Sequence, residues 1–295
     1  MNINSFDLNL LVIFRALFEE KNVTKASIKV GITQPAMSNA LNRLRYLVKD
    51  ELFIRGPKGM RPTQRAVELS GPIKLALSNI ELSLFSANFD PLTSKKLFKF
   101  TISDDVAPLI LPNLINFLSK NSPNSSLSIS SEQGEEAIKL IDAGEIDFSV
   151  GRFETVPSRL GFKILFNEEY VGMMNKKHEL SEEKQLSMDQ YLSSKHLRVA
   201  PMNAQTSPID RELSLLSLER EILVRIDLIT LAPFILNNSN LILTLPNKTA
   251  ERLAKANNFA IVKLPIALEK RKTKMIWHKE LTNHPVYDWI RDKIN

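Results

Sequence analysis

Gln34, Ser38, Asn42 and Arg45 recur at steps of four, four and three, with Asn39 on their flank. At helical pitch these residues share one face. That face offers amides, a hydroxyl and a cation, and it carries no carboxylate. Short hydrogen-bonding groups read base edges in a groove, cations hold phosphates, and an anion would repel the backbone. The plainer reading is an amphipathic surface helix. Such helices usually mix both signs of charge, whereas residues 21–65 hold ten Lys and Arg against two Asp and Glu. The balance favours a nucleic-acid face.

Two helices around a tight turn would position that face. Residues 24–30 form the first, with Ala26 and Val30 four apart. Gly31 can end it in the left-handed conformation. Ile32 then drops between the helices, Thr33 caps the second, and Pro35 sits in its first turn, where a missing N–H has no helical partner anyway. Met37, Leu41, Leu44 and Val48 make the buried stripe of the second helix. A helix over 6–20 precedes the pair, with Asp7 near its N-terminus and Leu10, Ile13 (or Phe14) and Leu17 facing inward. After it, 52–55 and 60–63 read as strands about the turn Gly56-Pro57-Lys58-Gly59. A hairpin bearing Arg55, Lys58 and Arg61 beside a groove-reading helix is expected to act as a wing; the alternative is a solvated loop.

Residues 63–85 read as a longer helix. Leu69, Ile73, Leu77, Ile80 and Leu84 form a narrow, nearly heptad stripe that predicts a dimer seam, with packing on the chain's own wing unit as the alternative. Pro72 after Gly71 predicts a kink or break. A linker over 88–94 follows. Strand signals at 97–103, 126–131, 147–151, 161–166, 170–175, 197–200, 223–227, 241–245, 260–263 and 273–277 alternate with helix signals at 108–120, 135–143, 187–192, 209–218, 229–236, 248–256 and 285–294. This α/β region predicts two subdomains with a ligand cleft between them.

A length of 295 residues, with 43% hydrophobic and 24% charged side chains, suits a globular chain of two or three domains. The net charge is +6, but residues 21–65 alone carry +8, so the positive field is local. With no cysteine, disulfides, thiolate catalysis and Cys-based zinc sites are excluded. No signal segment opens the sequence and no window approaches the apolar length of a membrane span, so a cytoplasmic protein without membrane contact is expected. His178, His196, His278 and His284 are scattered and read as surface or packing residues, not metal ligands. There is no G-x-S-x-G elbow, phosphate-cradling glycine loop or dinucleotide fingerprint, so neither an enzyme nor a cofactor is expected. A solute-binding protein would need a signal peptide and would not carry the basic two-helix unit.

With these elements placed, the chain resembles the LysR-type transcriptional regulators along nearly its whole length. The carrying residues are 7–11, 22–27, Ile32-Thr33-Gln34-Pro35-Ala36-Met37-Ser38-Asn39-Ala40-Leu41, Leu44-Arg45, Asp50-Glu51-Leu52-Phe53-Ile54-Arg55, Gly59-Met60-Arg61-Pro62-Thr63 and Ala66, with 144–151 near the middle. Ser38-Asn39-Ala40-Leu41 and Phe89-Asp90-Pro91 look most like the branch of nodulation, aromatic-degradation and leucine-responsive-operon-type regulators.

The resemblance implies an α+β multidomain fold. A winged helix–turn–helix over 1–62 would be followed by a linker and dimerisation helix over 63–88. A periplasmic-binding-protein-like α/β effector domain would span 89–295, with lobe 1 over 95–166 and 268–295 and lobe 2 over 167–267. Carried over, Gln34, Pro35 and Ser38 would contact bases. Thr33, Asn39, Arg45, Arg55 and Arg61 would hold phosphates or the minor groove, and Asn42 stands where relatives often have a basic residue. Ser103, Asp104, Gln133, Phe153, Met202, Thr206 and Thr230 would face the effector, with Asp104, Asp105 and Glu132 weighing against a simple carboxylate ligand. The implied partners are double-stranded DNA, further copies in a homodimer or homotetramer, RNA polymerase and a small-molecule effector. The alternative is a DNA-binding silencer or antisilencer without an effector.

Overall fold

The computed structural model describes residues 6–56, 59–85, 89–200 and 206–294. Helix α1 (Asn9–Glu20) leads into α2 (Val23–Val30), whose cap Asn22 accepts the Lys25 N–H at 3.0 Å. Gly31 ends α2 at φ 75°, a conformation that glycine adopts without steric cost. Thr33 then caps α3 (Gln34–Val48) by accepting the Ala36 N–H at 3.3 Å. Strands β1 (Phe53–Gly56) and β2 (Gly59–Pro62) pair antiparallel, with Ile54 opposite Arg61 and Arg55 opposite Met60. Thr63 caps the long helix α4 (Gln64–Phe85), accepting the Ala66 N–H at 3.1 Å.

One apolar cluster holds this unit together. Leu10, Ile13, Phe14 and Leu17 of α1 meet Ala26, Met37, Leu41, Leu44 and Phe53, and Phe14 and Phe53 lie 5.5 Å apart. Both Ile13 and Phe14 are buried, and Ile32 packs at the rim. Ile73 and Leu77 of α4 belong to the same cluster, and Leu69 packs against it. The inner part of the stripe read as a dimer seam is thus spent on the chain's own winged unit, because the cluster needs a lid. Ile80 and Leu84, 44% and 69% exposed, are left outward. Helix α4 runs through Pro72 without ending: the buried flanks Ile73, Leu75 and Leu77 hold the turns that one missing ladder bond would loosen.

The remaining chain builds two sheets. In order come β3 (Leu97–Ile102), α5 (Ala107–Asn121), β4 (Ser126–Ser130), α6 (Gly134–Asp142), β5 (Phe148–Gly151) and β6 (Leu160–Glu168). Then follow β7 (Tyr170–Asn175), α7 (Met188–Ser193), β8 (Lys195–Val199), α8 (Pro208–Leu215), β9 (Glu221–Ile226) and α9 (Ala232–Leu236). The chain closes with β10 (Leu241–Pro246), α10 (Asn247–Ala256), β11 (Phe259–Lys263), β12 (Arg271–His278) and α11 (Pro285–Arg291).

The first sheet has the order β4-β3-β5-β12-β6 and the second β11-β7-β10-β8-β9. The chain therefore crosses between sheets twice, from β6 to β7 and from β11 to β12. Lobe 1 is centred on Phe98, Phe100, Phe148, Val150, Met275 and Trp277. Lobe 2 packs one face of its sheet with Leu197, Leu236, Leu243 and Phe259, and the other with Met174, Tyr191, Ile209 and Val262. Strand β10, buried along nearly its whole length, reads as an apolar run, whereas β9 alternates between half-buried and exposed positions. Among the described residues no helix is long and apolar enough to cross a membrane.

Candidate nucleic-acid interface and interlobe cleft

Burial of Met37, Leu41 and Leu44 fixes the rotation of α3 and turns the opposite side out. Gln34, Pro35, Ser38, Asn39 and Asn42 are all exposed on that side. The Thr33 oxygen is engaged as the α3 cap, which leaves its O–H free to donate. Arg55 and Arg61 stand exposed on the two wing strands, and neither forms an ion pair among the described residues. Lys58 lies outside the described residues.

Arg45 departs from its expected role. Its Nε donates to the Glu51 carbonyl at 2.9 Å and its Nη2 to the Phe53 carbonyl at 2.7 Å. The Glu51 carboxylate stands 3.3 Å from Nε. The side chain thus braces the root of the wing, tying α3 to the carbonyls that lead into β1. Asp50 works from the other side, accepting the Leu52 N–H at 2.6 Å and the Thr63 hydroxyl at 2.7 Å. The Thr63 hydrogen bond, then that from Leu52, holds the Asp50 carboxyl below its usual range. Both acidic residues of this basic segment therefore serve the wing joint rather than the outward face.

Two residues on α3 escaped the sequence reading. Tyr46 is 84% exposed, one turn beyond Asn42 on the same face. Arg43 lies on the flank, 3.1 Å from Asp7. Extending the step of four from Asn42 by one turn would have found Tyr46.

A cleft of about 960 Å³ opens between the lobes, lined by Ser103, Asp104, Gln133 and Thr206 among others. Met202 lies outside the described residues. Phe153 does not line the cleft: it is 4% exposed in a cluster with Ala137, Ile141 and Ile276, where an aromatic ring is better covered than wet. Thr230 is exposed away from the cleft, and its neighbour Ile229 takes the wall position. The Ile229 N–H donates to the Asp104 carboxylate at 2.7 Å, bridging lobe 2 to lobe 1.

Residues distant in sequence complete the wall: Asp105, Tyr170, Thr244, Thr249 and Arg271. Arg271 and Asp105 form a mostly buried ion pair, so Asp105 offers no free charge to repel a ligand. Burial alone would weaken the Arg271 charge; Asp105 more than offsets it and the guanidinium is held above its usual range. Asp104 is pushed up by burial and by Asp105, against the opposing Ile229 N–H. Glu168, across from Arg271 where the strands leave lobe 1, is pushed up by burial too. On the lobe 2 wall, Ser207 caps α8 in a reciprocal box with Asp210, and Arg220 donates to Asp210 at 2.7 Å. No local pattern announces Arg271 or Tyr170; only the two-fold crossing of the chain brings them to the cleft.

Among the described residues no group of three or more His, Asp or Glu is placed to hold a metal. His178 accepts the Leu180 N–H at 3.1 Å, and His196 is wholly buried, its Nε2 donating to the Tyr191 carbonyl at 2.8 Å.

Known proteins carry both parts of this arrangement together. Residues 8–67 match the family model "Bacterial regulatory helix-turn-helix protein, lysR family", and 94–294 match "LysR substrate binding domain". The HTH-type transcriptional activator NagR of Ralstonia sp is 30% identical over 293 residues, covering 99% of this chain and 97% of that protein. The HTH-type transcriptional activator NahR of Pseudomonas putida is 27% identical over 292 residues, covering 99% and 97%. The crystal structure of the probable transcriptional regulator PA0477 from Pseudomonas aeruginosa superposes with a TM-score of 0.67 at 29% identity, covering 99% of this chain and 97% of that one. An exposed, carboxylate-free helix on a winged unit, joined through one long helix to a two-lobed domain, belongs to the LysR family of DNA-binding transcriptional regulators, and this chain is a member of it.

Proposed function

We propose that this regulator binds a dyad-bearing promoter as a dimer or tetramer and alters RNA polymerase access. A small molecule in the interlobe cleft would modulate it. The observation that carries the reading is the outward face of α3, where Gln34, Ser38, Asn39 and Asn42 stand exposed with no carboxylate among them. Ser38 and Gln34 are assigned to base edges; Thr33, Arg55 and Arg61 to phosphate or the minor groove. Ser103, Asp104, Gln133 and Thr206 are assigned to the effector. The working division is 1–62 for DNA binding, 63–88 for the linker and 89–295 for the effector domain. Ile80 and Leu84, outward on α4, support a second copy as the partner of its C-terminal half. Action on DNA supports a cytoplasmic location, and no reaction is assigned to the cleft.

A footprint on the DNA upstream of its own gene, titrated with salt, tests this. Two protected half-sites on one face of the duplex are expected. Uniform coverage erased by salt would leave a DNA coater instead.

A further inference from the structure

We infer that α6 is a rod coupling the cleft to the linker helix α4, so that a shift at the cleft wall reaches the DNA-binding unit of the same chain. The inference rests on the reading that the cleft takes an effector.

The two ends of α6 touch different machinery. At its N-terminal end Gln133, Gly134, Glu135 and Glu136 line the cleft. At its C-terminal end three successive main-chain carbonyls meet α4. A Cβ on Gly71 would lie 1.7 Å from the Asp142 oxygen, so only glycine lets the backbones approach this closely. The Ser70 hydroxyl, which donates chiefly to the Val67 carbonyl at 2.7 Å, stands 3.3 Å from the Ala143 carbonyl, and the Lys74 ammonium donates to the Gly144 carbonyl. The Asp142 carbonyl is one that a helix end leaves without an internal partner, and a cation near that end also suits the helix dipole. Arg159 fastens the same end, donating to both Asp142 oxygens at 2.8 and 2.6 Å. Nine residues give a span of roughly 13 Å between the ends.

Helix α6 lies on lobe 1 along one face, packed against Phe153, Leu160 and Ile276. Its buried residues Ala137 and Ile141, with Ile138 and Leu140 half-buried beside them, join a cluster separate from the main lobe 1 core. A helix packed along one face can make the small sliding displacements by which packed elements transmit change. Its internal hydrogen bonds make it stiff along its axis, so a push at one end arrives at the other. A hollow of about 540 Å³ beside the joint, lined by Pro72, Leu75, Ala76 and Asp142, gives α4 room to respond. Coupling between sites needs a physical element that both of them bias. Here α6 is that element, with Ser70, Gly71 and Lys74 as positioning residues.

Gly151 offers a way to disturb the cleft end of the rod without a ligand. A Cβ there would lie 1.9 Å from Gln133 Oε1, so Gly151→Ala must move the Gln133 side chain at the residue preceding α6. Gln133→Ala perturbs the same end by deletion and serves if Gly151→Ala folds poorly. The full-length protein is followed by amide hydrogen exchange over residues 70–77 and by promoter affinity. We expect altered exchange in that stretch and an affinity change of about fivefold or more. On a Lys74→Met background both responses should shrink, the affinity change falling below about twofold, with Lys74→Arg restoring them. Unchanged exchange over 70–77 in both cleft-end variants, or equal responses with and without Lys74, would overturn the inference. A wild-type footprint that persists in either case leaves the DNA-binding reading standing, whereas a wild type without a footprint fails that reading itself.

Discussion

The Arg45 guanidinium donates through Nη2 to the main-chain carbonyl of Phe53, 2.7 Å away, tying the recognition helix to the first strand of the wing. A cation of the basic segment is thereby turned to architecture. Arg45→Ala removes bonds to two carbonyls and is expected to lower stability by about 1–3 kcal/mol. Arg55, exposed and outside any ion pair among the described residues, should act differently. Arg55→Ala should weaken binding to every sequence and flatten the dependence of log affinity on log salt by about one unit. Denaturant melts and salt titrations of the two variants separate the roles, and a full one-unit slope change in Arg45→Ala would return that residue to the phosphates.

Ser38 is exposed on α3, one turn from Asn42. Ser38→Ala should reduce promoter affinity by about 1–3 kcal/mol while leaving random DNA nearly unaffected. Competition binding against both DNAs measures this. Equal losses on the two would assign the hydroxyl to the backbone.

Leu77 is 6% exposed and shares a cluster with Phe14 and Met37, whereas Leu84, two turns nearer the end of the helix, is 69% exposed. Leu77→Ala should cost about 2–5 kcal/mol of stability through the cavity it leaves. Leu84→Glu should leave the melting temperature unchanged and lower the dimer's affinity. Sedimentation at several concentrations checks it; an unmoved dimer would place the seam elsewhere.

His196, buried between Tyr191 and Arg220, has its pKa lowered from 6.5 to about 4, chiefly by burial and then by the Arg220 charge. Its neutral form is the one folding favours. Between about 6.5 and about 4 the unfolded chain binds more protons than the folded one, so stability is fully present above this window and falls as pH falls through it. The drop amounts to at most about 3 kcal/mol for this residue. His196→Gln, which keeps an N–H for the Tyr191 carbonyl, should flatten that acid limb in denaturant melts recorded across the window. A limb of unchanged steepness would shift the cause to other groups. His178 and His284, also lowered by burial, leave a smaller slope in the variant.

Much of this molecule was legible in the chain because its signals are local. The cap at Thr33, the stop at Gly31 and the apolar steps from Met37 to Leu44 each lie within one or two turns, where backbone geometry alone enforces them. The strands and helices of the lobes were likewise marked by short apolar runs between turn residues. What escaped is what depends on distant partners. Arg45 looks like a phosphate ligand until the carbonyls of Glu51 and Phe53 are seen to claim it. Phe153 looks like a cleft residue until α6 covers it.

The linker helix shows the division most sharply. Its sequence determined a helix with one apolar stripe, since periodicity fixes which residues share a face. Only the tertiary structure decided what that stripe meets: Ile73 and Leu77 close the winged unit, Leu75 enters lobe 1, and Leu84 stays outward. The cleft follows the same rule. Ser103 and Gln133 were readable at strand ends, but Arg271 reaches Asp105 across 166 positions of chain only because the strands cross twice between lobes. A side chain's type and spacing set what it can do, and burial against residues far along the chain settles which of those things it does.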